Sequence, residues 1–153
     1  MAARPFNAAD PGFEARVRAS YARQSAMRLI GAELARVEPG EVEIVMPRSP
    51  DIAQQHGFVH GGLIGAVMDT ACGFASLSLM PPDTGVLTVE YKVNFLAPAA
   101  GERFRMIGRV RKAGRTLTLA EADAFALAEG RERLIATMTA TMMTIVGRDE
   151  VRD

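Results

Sequence analysis

The chain has 153 residues, 48% hydrophobic and 24% charged, which is the composition of one globular domain. Lys plus Arg and Asp plus Glu number 18 each, so the formal net charge is zero and the basic excess of a nucleic-acid-binding protein is missing. The one cysteine, Cys72, excludes an intramolecular disulfide framework and a cysteine-rich zinc site, and favours a reducing, cytoplasmic location. The N-terminal stretch MAARPFNAADPG lacks the apolar core of a signal peptide.

Two short elements are predicted in the first third of the chain. Residues 12–23 fit an amphipathic helix whose apolar residues recur at i, i+4 and i+8, namely Phe13, Val17 and Tyr21. Residues 31–46 fit a β-hairpin, because Pro39-Gly40 is a turn sequence between two short alternating runs.

The most apolar stretch is residues 61–80, GGLIGAVMDTACGFASLSLM. It is too long for a strand, and it is apolar or small on nearly every side, which is typical of a helix buried all round. Gly61 and Gly62 lie at its expected N-terminus, and Pro81-Pro82 follows its end.

The same stretch has the length of a membrane-spanning helix, and Gly61 and Gly65 have the GxxxG spacing of membrane helix pairs. Asp69 lies at its centre, however, where a carboxylate costs about 3 kcal/mol on insertion scales. No basic cluster flanks the stretch either. We therefore expect no membrane span.

The second half of the chain predicts four strands, at residues 85–97, 102–111, 115–127 and 133–146. The first has the cleanest alternation, with an apolar face of Leu87, Val89, Tyr91, Val93 and Phe95 opposite Thr88, Glu90, Lys92 and Asn94. Tight turns between the strands make neighbours antiparallel. The sequence thus predicts an α+β fold in which a curled antiparallel sheet wraps around one long central helix.

Asp69 is the only ionisable acid or base, apart from Cys72, between His60 and Asp83. Burying an unpaired carboxylate is costly, so a buried Asp is either satisfied locally, for example by Thr70, or held for a chemical purpose. Both interpretations stay open from this residue alone.

The start of the predicted helix offers a second functional group. Free N–H groups at a helix N-terminus favour negative charge, and Gly61 has no side chain to keep a ligand oxygen away. Gly61 is therefore a candidate oxyanion donor, although the two glycines could also serve only a tight turn or close packing. Because Asp69 lies eight residues further on, roughly 12 Å of helix separates the two groups. If both serve one reaction, they come from two chains, and a twofold dimer with antiparallel central helices is predicted.

Three segments of the chain carry a resemblance to a known family: Gln54-(x5)-His60-Gly61-Gly62-(x6)-Asp69, TVEYKVNFLAPA at 88–99 and VRKAGR at 110–115. The pattern resembles the hotdog-fold acyl-CoA thioesterases, above all the phenylacetic-acid-degradation type, with the 4-hydroxybenzoyl-CoA thioesterases as relatives. It covers about residues 25–146. It implies a hotdog fold, hydrolysis of an acyl-CoA, no cofactor because coenzyme A is part of the substrate, and a homodimer that pairs further into a tetramer.

The resemblance also implies roles for individual residues. Asp69 matches the catalytic carboxylate, which acts as nucleophile or as general base on water. Gly61 matches the glycine whose N–H polarises the thioester carbonyl, and Gln54 a polar residue that positions the thioester or the water. His60 matches a histidine that supports the loop or the thioester. Thr88 falls where some members orient the attacking water, although simple alternation places it opposite the apolar face of its strand.

Some relatives have Ser or Thr four residues after the acid, where this chain has Gly73, so the group that positions the water stays open. The implied substrate-binding residues are Gly62, Phe58, Arg111, Lys112 and Arg115. The three basic residues surround a predicted turn and match a contact with coenzyme A, but a solvated turn explains them equally well. The acyl pocket is expected to be lined by residues such as Phe58, Met68, Phe74 and Leu79.

Two other functions remain compatible with the sequence: a non-catalytic acyl-CoA-binding hotdog module, and a hotdog hydratase or dehydratase that uses His60 in an acid–base pair. No metal is expected, because Gly57 argues against a helix that would bring His56 and His60 together and no third ligand follows. The predicted organisation is an N-terminal extension with a short helix at 1–24, a thioesterase domain at 25–147 and a tail at 148–153. Neither nucleic acid nor a membrane is an expected partner.

Overall fold

The computed structural model describes residues 6–153, so residues 1–5 of the predicted N-terminal extension lie outside the described part. The helices are α1 Phe13–Ala22, α2 Ser25–Ile30 and α3 Gly61–Leu77. The strands are β1 Glu33–Glu38, β2 Glu41–Pro47, β3 Thr84–Phe95, β4 Arg103–Ala113, β5 Leu117–Ala128 and β6 Arg131–Val146. Short 3₁₀ turns lie at Pro50–Ile52 and Asp149–Val151.

The six strands form one antiparallel sheet in the order β1-β2-β4-β5-β6-β3, with β1 and β3 at its edges. Helix α3 packs against strands β2 to β6, and the core lies between the helix and the inner face of the sheet. The predicted α+β fold with a curled antiparallel sheet around one long helix is confirmed. In the described part of the chain, no helix has both the length and the apolar character needed to cross a membrane.

The predicted helix near the N-terminus is confirmed as α1. Its residue Val17 is fully buried in the common core, and Phe13 and Tyr21 pack against that core from the same face. Tyr21 also donates a hydrogen bond of 2.8 Å to the Ala32 carbonyl, which ties α1 to the start of β1. Burial, followed by the charge of Glu33, raises the pKa of Tyr21 to about 12, so its hydroxyl stays protonated.

The sequence prediction missed α2 and misplaced the end of α3. Helix α2 is only six residues long and ends at Gly31, whose φ of 77° is the left-handed conformation that favours glycine. Helix α3 ends at Leu77, three residues before Met80, and the chain then turns.

The expectation that α3 is buried on every side is also wrong. A strip with Gly62, Leu63, Ala66, Asp69, Thr70 and Gly73 is partly or fully exposed along one side of the helix.

A β-bulge corrects the predicted alternation in β3. Thr88 pairs with Met142 and Glu90 pairs with Thr141, so Val89 is an extra residue with no partner opposite it. Residues opposite each other in an antiparallel pair share a face of the sheet. Before the bulge it is therefore Thr88, opposite the buried Met142, that faces the helix. After the bulge the inward residues are Tyr91, Val93 and Phe95, opposite Ala140, Met138 and Ala136.

Helix and sheet approach each other closely at Gly108 in the middle of β4. A Cβ atom at this position would lie 2.4 Å from both the carbonyl carbon and oxygen of Ala71 and 2.7 Å from the nitrogen of Cys72. These are backbone atoms, so a side chain at residue 108 requires the whole helix to move away from the sheet.

We expect Gly108→Ala to destabilise the fold by about 3 kcal/mol or more, because the extra methyl group overpacks the helix–sheet contact. The measurement is chemical or thermal unfolding of the variant beside the unchanged protein. Gly65→Ala on α3 is the matched control, because among the described residues no atom lies within 4 Å of the added Cβ, and alanine favours a helix. Equal stability of the two variants would contradict the tight contact.

Candidate active site

Asp69 lies in the third turn of α3, on the exposed strip of that helix. Its Oδ1 atom accepts a hydrogen bond of 2.8 Å from the Thr88 hydroxyl, across the gap between α3 and β3. Within residues 6–153 no hydrogen bond joins Asp69 to Thr70, so the local explanation considered from the sequence does not apply. Thr88 reaches Asp69 because the bulge at Val89 turns it inward.

Burial raises the pKa of the Asp69 carboxyl above its ordinary value, and the hydrogen bond from Thr88 acts in the opposite direction. Cys72 lies one turn further along α3 and is fully buried. Burial and the nearby Asp69 carboxylate raise the pKa of its thiol, so Cys72 stays protonated and is not a nucleophile.

A small polar cavity of about 120 Å³ opens beside Asp69. It is lined by Gln24, Asp69, Thr70, Gly73, Phe74, Val86, Thr88 and Asp153. The Asp153 carboxylate closes one side: it accepts the Val86 N–H at 3.1 Å and also binds the Ser20 hydroxyl. Sequence reasoning missed Gln24, Val86 and Asp153, because nothing in the local pattern indicates that the residue between α1 and α2 and the last residue of the chain lie beside Asp69.

Gly61 is the first residue of α3 and lies in a different, larger cavity. This cavity has a volume of about 460 Å³. It is lined by Gln54, Phe58, Val59, Gly61, Ile64, Phe95, Leu96, Ala97, Pro98, Ala99 and Ile135. Within residues 6–153 the Gly61 N–H has no hydrogen-bond acceptor, as expected for the first turn of a helix. The helix start therefore presents a free donor to a largely apolar cavity.

His60 is the N-cap of α3. Its Nδ1 atom accepts a hydrogen bond of 2.9 Å from the Gly62 N–H, and its carbonyl accepts one from Leu63 at 2.9 Å. The Gly62 N–H is thus already occupied, whereas that of Gly61 is free. His60 holds the helix start in place, and it is not among the residues that line the Gly61 cavity or the Asp69 cavity.

Gln54 begins a tight turn before the helix. Its backbone N–H donates to the Phe58 carbonyl at 2.8 Å, its own carbonyl accepts from Gly57 at 2.9 Å, and its side-chain oxygen binds the His56 N–H. The φ of 82° at Gly57 is the left-handed conformation that such a turn requires. The turn places Gln54 and Phe58 beside Gly61 in the larger cavity.

The structure thus gathers the predicted site residues into two groups. Gln54, Phe58 and Gly61 line one cavity, and Asp69 and Thr88 line the other. The eight-residue separation of Gly61 and Asp69 on one straight helix keeps them roughly 12 Å apart within a chain. One copy of the chain therefore places the two groups at two separate cavities.

Several expectations about substrate contacts need correction. Of the residues expected to line the acyl pocket, Met68 is buried in the core and Leu79 packs beside Gly40 at the opposite end of α3, so neither lines a cavity of the site. Phe74 does line the Asp69 cavity.

The predicted coenzyme A residues Arg111, Lys112 and Arg115 are exposed around the β4–β5 turn, and Arg111 is paired with Glu121 at 2.5 Å. Within residues 6–153, no group of three or more His, Cys, Asp or Glu side chains could hold a metal ion.

Comparison with known proteins identifies the relatives of the chain. A family model for the thioesterase superfamily matches residues 56–132. A crystal structure of a thioesterase family protein from Silicibacter pomeroyi is 52% identical, covers 89% of this chain and 100% of its own, and has a TM-score of 0.88. The medium/long-chain acyl-CoA thioesterase YigI of Escherichia coli is 25% identical over 131 residues, 76% of this chain and 83% of YigI. The E. coli PaaI protein is 18% identical, covers 88% of this chain and 94% of its own, and shares the fold with a TM-score of 0.78.

The raised pKa of Asp69 means that its ionised form destabilises the folded state relative to the neutral form. We expect Asp69→Asn to raise Tm at pH 7, because asparagine has nearly the same volume as aspartate and carries no charge. The gain should shrink as the pH falls through the folded-state pKa of Asp69 and disappear below its unfolded-state pKa, because the carboxyl of the unchanged protein is then neutral in both states. Thermal unfolding from pH 7 to pH 4 measures this, with Asp51→Asn as the exposed control. A lower Tm for Asp69→Asn at pH 7 would contradict the raised pKa.

Proposed function

The chain belongs to the thioesterase superfamily and is a thioester hydrolase, and we propose that it hydrolyses an acyl-CoA to the free acid and coenzyme A. In this proposal Asp69 is the nucleophile or general base and the Gly61 N–H is the oxyanion donor. The observation that carries it is the half-buried Asp69 carboxylate, which the Thr88 hydroxyl holds beside a cavity. The sequence match to an acyl-CoA thioesterase, YigI, supports the substrate class.

The two groups suit the chemistry of a thioester. The thiolate is a good leaving group, so hydrolysis needs chiefly an attacking oxygen and a donor for the oxyanion. Thr88 donates to Oδ1 of Asp69, which leaves Oδ2 free to take the proton of an attacking water or to attack the carbonyl carbon itself. As the new C–O bond forms, the carbonyl oxygen gains negative charge and accepts the Gly61 N–H. The C–S bond then breaks and the thiolate of coenzyme A leaves. On the general-base route the water oxygen has become part of the free acid, and Asp69 passes the proton it took to the thiolate. On the nucleophile route a mixed anhydride with Asp69 is left, and water hydrolyses it in a second step that releases the free acid and restores the carboxylate.

The edge strand β3 supports a site shared between two subunits. Within residues 6–153 no strand pairs with the outer side of β3, and only its first three residues, Thr84–Val86, are covered there, by the C-terminal segment that ends at Asp153. The large apolar side chains Val89, Tyr91 and Phe95 further along the strand are 51%, 46% and 53% exposed. A long apolar edge strand is a surface for pairing with another chain. In our proposal two β3 strands pair antiparallel about a twofold axis, and each Asp69 approaches the partner's Gly61.

Two finer features of the assembly and substrate are also part of the proposal. Exposed apolar residues on the outer face of the sheet form a second patch, which we assign to the pairing of two dimers into a tetramer; they are Leu87, Leu117 and Leu119. Lys112 and Arg115 are exposed at the β4–β5 turn, and we assign them to the phosphates of coenzyme A. No cofactor is needed in this scheme.

The alternatives from the sequence gain less support. Membership of a hydrolase family argues against a module that only binds acyl-CoA. A hydratase needs an acid–base pair across the substrate, but His60 is not among the residues that line either cavity.

Subunit mixing tests the shared site. Asp69→Asn should lower kcat by about 10²- to 10⁴-fold, the usual contribution of a general base. Gly61→Pro removes the proposed donor at the first helical position, where proline is tolerated, and should lower kcat by about 10²- to 10³-fold. When equal amounts of the two inactive variants are unfolded together and refolded, mixed dimers contain one intact site, and about one quarter of the original activity should return.

Thiol release from acyl-CoAs of short, medium, long and aromatic acyl groups measures the activity, and scattering measures the size of each variant. Each inactive variant unfolded and refolded alone is the control for refolding, and a different affinity tag on each variant shows that mixed dimers have formed. An active monomer, or a mixture that recovers nothing despite dimer exchange, would contradict the shared site. Full turnover by Asp69→Asn would contradict the proposed role of the carboxylate.

The pH profile tests the contact between Asp69 and Thr88. Activity should fall on acidification as Asp69 takes up a proton, with a midpoint above that of an ordinary Asp because burial raises its pKa. Thr88→Val removes the hydrogen bond that lowers this pKa, so we expect the acid limb of kcat/KM to move to higher pH. Thr139→Val, on the outer face of β6, is the control with the same chemical change. An unchanged acid limb in Thr88→Val would mean that the hydroxyl does not act on the reacting carboxylate.

A further inference from the structure

We propose that Phe95 is the residue that shapes the oxyanion end of the site: its ring covers Gly61, keeps water from the Gly61 N–H and limits the acyl group that fits beside it. This inference rests on the proposed function, because it concerns how the Gly61 donor works.

The geometry shows why glycine is needed at position 61. The φ angle of Gly61 is not in the left-handed region, so the backbone conformation accepts any L-residue. The obstacle is the Phe95 ring. A Cβ atom at residue 61 would lie 3.1 Å from Cζ, 3.3 Å from Cε1 and 3.5 Å from Cε2 of that ring. The ring occupies the place that a side chain at residue 61 would take.

The position of the ring follows from the sheet. Phe95 is the last residue of β3, and the bulge at Val89 gives it an inward orientation. Opposite it on β6 is Ala136, whose small side chain leaves room for the ring to lean towards the helix start. Phe95 lines the cavity of about 460 Å³ together with Gln54, Phe58 and Gly61. The ring is therefore a wall of the cavity and a cover for the donor at once.

A hydrocarbon ring at this place has two physical effects. It reduces the access of water to the N–H, and a donor in a drier, less polar environment stabilises an oxyanion more strongly. It also takes up volume close to the carbonyl carbon, so a bulky or branched acyl group has to compete with the ring. Phe95 does not take part in bond breaking, and we class it as a positioning and specificity-determining residue.

A double-mutant cycle tests the inference. Gly61→Ala keeps the N–H but adds the Cβ that meets the ring, so kcat/KM should fall about 10-fold or more through displacement of Phe95. Phe95→Ala should lower kcat more than it raises KM and should shift the acyl preference towards bulkier groups. In the Phe95→Ala background, Gly61→Ala should cost less than about 2-fold, because the ring is no longer there to be displaced.

A control separates this contact from general effects. Leu29→Ala removes a large apolar side chain that is 87% exposed on α2, away from both cavities. It should leave kcat/KM and the acyl profile unchanged, and the oligomeric state of every variant is measured alongside.

The failure of this inference differs from the failure of the proposed function. If Gly61→Ala costs the same with and without Phe95, or if Phe95→Ala leaves the acyl profile unchanged, the role of Phe95 is refuted while the mixing experiment still tests the catalytic pair. If Asp69→Asn and Gly61→Pro turn over normally, the catalytic pair itself is refuted.

Discussion

The central helix sets the constraint on which the proposed site depends. A helix cannot bring residues eight positions apart to one point, so Gly61 and Asp69 stay roughly 12 Å apart however the surrounding loops adjust. Helix α3 is also fixed in place, because Gly108 lets β4 approach its backbone at Ala71 and Cys72. The chain therefore holds the donor and the carboxylate rigidly but separately. Rigidity of this kind favours catalysis, since neither group needs to reorganise when charge develops on the substrate.

The fold could be predicted in outline because its local signals agree with one another. The Pro39-Gly40 turn, the glycines that open α3 and the alternation in the last three strands each indicate the element that the structure contains. What could not be predicted depends on contacts between distant residues. Helix α2 is too short for its periodicity to be visible. The bulge at Val89 has no glycine or proline to mark it, and it arises from the pairing with β6.

The residues of the candidate site also differ in how far the sequence predicts them. Asp69 stands out in the sequence because a carboxylate within an apolar helix breaks a local rule, as is expected at functional sites. Gly61 stands out because a glycine at a helix start leaves its N–H open to a ligand. Burial raises the pKa of Asp69, so the ionised carboxylate costs stability, and the same burial makes it a stronger base. No local sequence signal of this kind marks Gln24 or Asp153. They reach the Asp69 cavity only because the segment between α1 and α2 and the C-terminal residue fold back beside α3 and the start of β3.

The extra residue at Val89 links features that would otherwise be independent. Before Val89 the strand directs the Thr88 hydroxyl towards helix α3. After Val89 it directs the side chains of Tyr91, Val93 and Phe95 towards the same face of the sheet. Loss or gain of one residue between Thr88 and Tyr91 would move the side chains on one side of the change to the opposite face of the sheet. Insertions and deletions, which surface loops accept readily, are therefore excluded from this short stretch. Divergence among proteins of this lineage should proceed there by substitution alone, with the spacing of the strand inherited unchanged.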